Sequence, residues 1–241
     1  MNFDKSGNLS FIAKVLEKLK GKWLAAISSS VILAFLVYAV TDFLNLNPLI
    51  GVPIIGFTFL GEIAFMRKLI NNEGDKLEDI FSYYKQFVPA FLTTALLFIL
   101  LTVGFALLIV PGIIVLVNYS FCLHVLQENV ELGTLDAFRK SKELSKGYRL
   151  KIGLFYLIFF LISVVVFGIS LAISLVPNLI WGTNLILYAS IIAGVFNILF
   201  IFPVFYASVT DFYDNAKTGA LERMVKVEEE QVVTLEEVEV I

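Results

Sequence analysis

Long apolar runs alternate along this chain with short stretches that hold every cation. Lys and Arg number 18, and all fall within residues 5–22, 67–85, 139–151 and 217–226. The three stretches between them hold none. Each is long enough to cross a bilayer twice, because one helical crossing takes about 20 residues. Cations confined to alternate connections form the positive-inside pattern. The pattern predicts six spans, at about 23–44, 49–66, 89–110, 113–127, 151–173 and 185–209, with both termini cytoplasmic. Three turns are expected on the far side: Asn45-Leu46-Asn47-Pro48, Pro111-Gly112, and 174–183 with Pro177 and Trp181. None has room for an outer domain, and Asp42 is the one charge expected there.

The cationic stretches carry a helical period of their own. Leu9, Ile12, Val15, Leu16 and Leu19 share a face and predict a surface helix before span 1. Leu77, Ile80, Phe81, Tyr84 and Val88 predict another before span 3, with Asp75 as N-cap and Glu78 completing a capping box. A third, over 134–146, runs from Thr134 to Gly147 with Leu135, Phe138 and Leu144 as its stripe. Each ends at a breaker, Gly21, Pro89 or Gly147, where the chain can turn from the membrane plane to its normal.

A shift of 126 residues aligns Gly7 with Gly133, Leu9 with Leu135, Lys14 with Lys140, Glu17 with Glu143, Lys20 with Lys146, Gly21 with Gly147 and Leu24 with Leu150. That is seven identities in 18 positions. A shift of 58 aligns the middle copy more faintly, through Leu77, Pro89 and Leu92. Either a surface helix plus hairpin is repeated three times, or Leu- and Lys-rich segments are alike by chance.

Composition agrees with the pattern. The chain is 59% hydrophobic and 16% charged, too little charge to cover a soluble domain of 241 residues. The fold class is therefore an all-α polytopic membrane bundle: six transmembrane helices, cytoplasmic amphipathic helices at the interface, and a three-fold hairpin repeat as one reading. The expected organisation is a surface helix over 1–22, a membrane domain over 23–213 and an acidic tail over 214–241. The run from Trp23 reads as a retained span, since Asp4 and Glu17 precede it and no small-x-small cleavage site follows. Six Glu in the last 14 residues alternate partly with Val. They predict a mobile inner tail, or an edge strand through which a protein partner would bind.

Few residues could carry chemistry. Glu62 lies about one turn inside span 2, and an ionisable group within a membrane is a functional hypothesis by default. Alternatively it sits near the interface and pairs with Arg67 or Lys68, the reading that its place near the span end favours. His124 and Cys122 are two residues apart, which on a helix points them about 200° apart, so they cannot share a metal. No further Cys or His completes a zinc sphere. Asn118 and Asn197 lie in mid-span, where an amide either bonds between helices or lines a polar path. The pairs Ser190/Gly194, Gly168/Ala172 and Ala25/Ser29 offer small residues for close helix contact. Gly51, Pro53, Gly56 and Gly61 make span 2 interruptible, as in some transporters.

No phosphate loop, nucleophile elbow or paired carboxylates occur. The expectation is no enzymatic activity, no cofactor and no metal. The basic helices flank spans, so they suit anionic lipid rather than nucleic acid. Lys14, Lys18, Lys20, Arg139, Lys140 and Lys146 are the candidate headgroup contacts, each attracted by about 1 kcal/mol.

Three segments carry a family likeness: 75–87, the run from Val110 through Pro111-Gly112 to Phe121, and Ala137/Ser141/Leu144/Lys146/Gly147, with Pro203 late in the chain. Their order resembles the YciC-like bacterial group of six-span membrane proteins of unknown function. That group is akin to the membrane domain of some glycerophosphodiester phosphodiesterases. The resemblance implies architecture and location but no catalytic residue, and no phosphodiesterase domain is present. Two functions follow as expectations: a structural, lipid-interacting or partner-binding membrane protein, or a small-molecule or ion transporter or channel.

Overall fold

The computed structural model describes residues 7–43, 45, 47–129, 131–181 and 185–239. Every regular element among them is helical, with no strand. Helices α1 (Asn8–Lys18) and α2 (Trp23–Tyr38) come first, and α2 runs on through a π-helical turn at Ala39–Phe43. Then follow α3 (Pro48–Ile54), α4 (Gly56–Ile70), two 3₁₀ turns (Leu77–Phe81 and Tyr84–Gln86) and α5 (Phe87–Leu107). The second half holds α6 (Ile109–Tyr119), α7 (Cys122–Glu128), α8 (Thr134–Ser145), α9 (Arg149–Trp181) and α10 (Leu185–Phe196). A second π-helical segment, Asn197–Ile201, joins α10 to α11 (Phe202–Glu239).

Five helical runs are long and apolar enough to cross a membrane: Trp23–Asp42, Leu77–Leu107, Ile109–Glu128, Arg149–Ser174 and Leu187–Leu221. The expected second span is helical but divided at Ile55 into α3 and α4. Pro53 lies inside α3, where it has no N–H to donate and its ring crowds the preceding turn. Thr58 repairs the break, donating through both its backbone N–H (2.9 Å) and its hydroxyl (2.6 Å) to the Ile55 carbonyl.

The core lies at the cationic end of the bundle. Phe212 is its centre, ringed by Phe11 (5.6 Å between centroids), Phe155 (5.9 Å), Phe121 (6.0 Å) and Tyr148 (6.4 Å). Away from this end the helices turn large apolar side chains outward, among them Ile99, Val103, Leu107, Phe160, Val165 and Ile191. That is the surface a bilayer covers.

Several local expectations change. On α1 the buried stripe is Phe11, Val15 and Leu19, packed toward α11, while Leu9 and Leu16 face outward. The period was legible, but its phase is set by α11. The helix expected over 75–88 forms two 3₁₀ turns instead, capped at Lys76 without a side-chain bond. Ile80 is buried there, whereas Phe81, Tyr84 and Val88 are exposed. Asp75 is not the N-cap, and Asp79 is drawn to Lys68 at 3.0 Å. Gly61 explains the geometry: a Cβ at that position would overlap the Ile80 carbonyl, so the 3₁₀ backbone rests directly on α4.

Pro111-Gly112 is not the turn between α5 and α6. Leu108 alone is extended (φ −167°, ψ 160°), and Pro111 sits in the first turn of α6, where its missing N–H costs least. Gly112 instead admits the ring of Phe105. The expected connection over 174–183 is helical to Trp181, with Pro177 within α9, and 182–184 lie outside the described residues. The expected mobile tail or edge strand is a continuation of α11 to Glu239. No Pro follows Pro203, and Glu is a good helix former. Residues 240 and 241 lie outside the described residues.

Ala25 and Ser29 pack inward as expected, but the other two small-residue pairs pack in a different phase. Gly168 and Gly194 meet nothing that an added Cβ would touch, whereas Ser170, Ser174, Ala189 and Ala193 are buried in the α9/α10 hairpin. Gly61→Ala therefore costs at least about 1–3 kcal/mol, the usual penalty of overpacking, here against rigid backbone. Gly168→Ala leaves stability unchanged or slightly raised. Thermal unfolding of the two variants in one detergent checks the contrast.

Candidate functional site

The polar groups of the bundle collect along one line of α11. Tyr206, Thr210, Tyr213, Asp214 and Lys217 recur at helical spacing and lie on one face. This face meets α4, and α7 joins them through His124 and Glu128, one turn apart.

Arg67, in the last turn of α4, is the hub at the cationic end. Nη1 donates to Gln127 Oε1 at 2.5 Å and lies 3.6 Å from Glu128 Oε1, while Nη2 lies 3.0 Å from Asp214 Oδ1 as an ion pair. The guanidinium also sits over the Tyr213 ring, 5.5 Å from its centroid. Glu128 Oε2 accepts from Tyr213 Oη (2.9 Å) and Lys217 Nζ (2.8 Å). Gln127 Nε2 donates to Tyr83 Oη at 2.7 Å. Two acids and two cations balance here, and one cation bonds α4, α7 and α11 together. Close by, Lys18 Nζ meets Asp211 Oδ1 at 2.5 Å, and Lys22 donates to the Leu69 carbonyl. These contacts gather the first, second and fourth cationic stretches at one end.

Glu62 lies apart from this hub. It is wholly buried, and Oε1 accepts from Ser29 Oγ at 2.9 Å. Oε2 has no hydrogen-bond partner among the described residues. The pairing with Arg67 or Lys68 favoured from sequence does not occur, because Arg67 holds Glu128 and Asp214 and Lys68 holds Asp79. Five residues along a helix from Arg67, Glu62 is turned by about 140° and set about 7.5 Å deeper.

His124 is buried, with Nε2 3.4 Å from Thr210 Oγ1 and its ring 5.2 Å from that of Tyr213. Asn197 Nδ2 donates to the Ala193 carbonyl (2.8 Å), and Oδ1 accepts from Ser163 Oγ (3.1 Å), linking α9 to the π-helical segment. Asn118 contributes through its backbone. Between α6 and α7 the helix breaks, and Ser141 Oγ of α8 repairs it by accepting from Phe121 N–H (3.2 Å) and donating to the Asn118 carbonyl (3.1 Å). Ser145 Oγ also reaches that carbonyl, at 3.3 Å.

The surface cations divide. Lys18 is committed to Asp211, and Arg139 pairs along its own helix with Asp136 at 3.3 Å. Lys20, Lys140 and Lys146 face outward, as does Lys14. Sequence reasoning names Ser29 only as a small residue for helix contact and Ser141 only within a motif, and it misses Tyr213 and the Arg67 hub, whose members come from distant segments. The one available signal was the Tyr206/Thr210/Tyr213/Lys217 spacing at the end of span 6.

No family model matches this chain, and no curated protein or solved structure matches it.

Arg67→Gln removes one partner of a largely buried network and leaves Glu128 and Asp214 facing each other. The expected loss is about 3–5 kcal/mol. Ser141→Ala strands one N–H and weakens the tie to one carbonyl, at about 1–3 kcal/mol. Denaturation in a fixed micelle composition measures both, and Lys140→Ala, on an exposed position, should change nothing.

Proposed function

We propose that this chain is a six-span protein of the cytoplasmic membrane, with both termini inside, that binds membrane lipid and has no catalysis of its own. The observation that carries the reading is a groove of about 620 Å³ between α5, α6, α9 and the start of α11. Phe105, Ile109, Ile113, Gly153, Phe160 and Phe205 are among the residues that line it, and Tyr156 and Ser163 bring hydroxyls to it. Ile109 and Phe160 on its rim are 70% and 64% exposed, so the groove is continuous with the outward apolar surface. At that depth the surrounding medium is hydrocarbon, and the occupant that fits is a phospholipid acyl chain. The volume falls within the ~300–1,000 Å³ of ligand pockets that enclose small molecules.

The ion pairs support this topology. Lys18–Asp211, Arg67–Asp214 and Lys217–Glu128 gather three cationic stretches at one end. An even number of crossings between them produces this when α3 and α4 together count as one broken span. Lys14, Lys20, Arg139, Lys140 and Lys146 would then meet anionic headgroups of the inner leaflet, within reach of the groove's acyl chain.

The repeat belongs to the same proposal. α1 and α8 begin at 8 and 134, and α2 and α9 at 23 and 149, each pair 126 apart. Gly7 and Gly133 precede the surface helices with ψ 152° and 153°, and Gly21 and Gly147 end them at φ +81° and +96°. The middle copy departs, since its helix is 3₁₀. Kinship with the YciC-like group is proposed on the same grounds: the Ser141 of its Ala-x3-Ser motif is the residue that mends the α6/α7 break.

The transport reading comes second. Glu62 favours it, but Glu62, Asn118 and Asn197 are not among the residues lining the groove.

Gly153→Leu tests lipid binding. A Cβ there meets only Val117 Cγ2 at 3.7 Å, an ordinary contact, so a larger side chain enters the groove without disturbing the fold. Phospholipid retained per chain, measured by native mass spectrometry, should fall roughly tenfold, equivalent to about 1.4 kcal/mol. Unchanged retention would remove the basis of the proposal. Flotation with anionic and neutral vesicles then separates headgroup from acyl-chain binding.

A further inference from the structure

Ser29 stands between two acceptors. Its Oγ lies 2.9 Å from the Ala26 carbonyl and 2.9 Å from Glu62 Oε1. A hydroxyl has one proton to give and lone pairs to accept with. It satisfies one of these acceptors by donation and must treat the other differently. The carbonyl can only accept. The carboxyl can accept as an anion or donate as an acid, so both contacts become hydrogen bonds at once only when Glu62 carries the proton. If Ser29 turns its proton to Glu62 instead, the anion is served and Ala26 is released, its carbonyl remaining available to the helix backbone.

We propose that Glu62 and Ser29 form a proton-binding site at the α2/α4 contact, with the Ser29 hydroxyl as the rotor that serves both states. Uptake forms one O–H bond on the Glu62 carboxylate and breaks one in the hydronium ion that delivers the proton, leaving water. The Ser29 hydroxyl then swings from Glu62 to Ala26, and no other bond is made or broken. The proposal does not depend on lipid binding.

The surroundings leave the proton as the ligand. From α2 the site receives hydroxyls only, Ser29 and the unpartnered, buried Ser30. From α11 the ionisable neighbour is the Tyr206 phenol. α3 and α5 contain no ionisable residue. The acid of the first 3₁₀ turn nearest α4, Asp79, is bound to Lys68, and Tyr83 by the second is bound to Gln127. On α7, His124 faces Thr210. On α4 itself Arg67 is taken by Glu128 and Asp214. Among the described residues no cation pairs with Glu62, and no group of acids, His or Cys could hold a metal ion. The polar line of α11, from Lys217 to Tyr206, leads from the cationic end toward the site.

The test uses the full chain in nanodiscs and infrared difference spectra between mildly acidic and mildly alkaline buffer. A carboxylic-acid C=O band should appear on acidification and be absent in Glu62→Gln. Ser29→Ala should move the band without removing it, and Ser29→Thr, which keeps the hydroxyl, should restore its position. No band in wild type, or a band retained in Glu62→Gln, would overturn the proposal. A band that Ser29→Ala leaves in place would overturn the role given to the rotor. If Glu62→Gln does not fold, the two Ser29 variants carry the assignment.

Discussion

Hydrocarbon offers no water to a loose backbone group, so every break in a helix at membrane depth must be mended from within the protein. This chain breaks its helices repeatedly, and side chains mend them. Thr58 serves the carbonyl of Ile55 where α3 gives way to α4. Ser141, from a helix at the bundle end, serves both an N–H and a carbonyl between α6 and α7. At the two π-helical segments Thr41 donates to Val37 and Asn197 donates to Ala193, each one turn back at 2.8 Å. Part of the polarity scattered through this apolar sequence serves these repairs, while hydroxyls such as Thr102, Ser170 and Ser174 bond back to carbonyls one turn earlier in unbroken helices.

The same constraint sorts the charges. Arg67, Glu128, Asp214 and Lys217 lie at one end and neutralise one another, and Arg67 has only 17% of its side chain exposed. Such a network contributes little net energy compared with apolar packing, but removing one member leaves a buried charge. Its effect is to fix the register of α11 against α4 and α7. The aromatic cluster around Phe212 sits beside it, so packing and pairing specify the same arrangement. With the charges drawn to that end, the remaining surface is free to be apolar, and the groove can open on it.

Much of this was legible in the sequence. Cation placement and apolar runs identify the helices, and five of them appear with the length and composition to cross a membrane. The second expected span is not among them: it is divided into α3 and α4, and Pro53 marks the place in the sequence. Phase was harder. α1 buries Phe11 rather than Leu9, and the α9/α10 hairpin buries Ser170 rather than Gly168. A helical period gives spacing, while the neighbour chooses which of two adjacent stripes is covered. Partners were harder still. Glu62 was noticed, but its contact comes from Ser29, 33 residues earlier, and Asp211 meets Lys18 across 193 residues. Nothing local in either segment announces the other. The 3₁₀ turns over 77–86 were missed because the Leu77/Ile80 spacing suits an α-helix as well, and only the backbone of Ile80 resting on Gly61 selects the tighter form.

The functional proposal requires that a phospholipid acyl chain fill the apolar groove between α6 and α9. Cryo-electron microscopy of the full chain in lipid nanodiscs tests that most directly. The account predicts continuous acyl-chain density between α6 and α9, running past Gly153 and Phe160. Side chains collapsed across that space, or ordered water within it, would contradict the account.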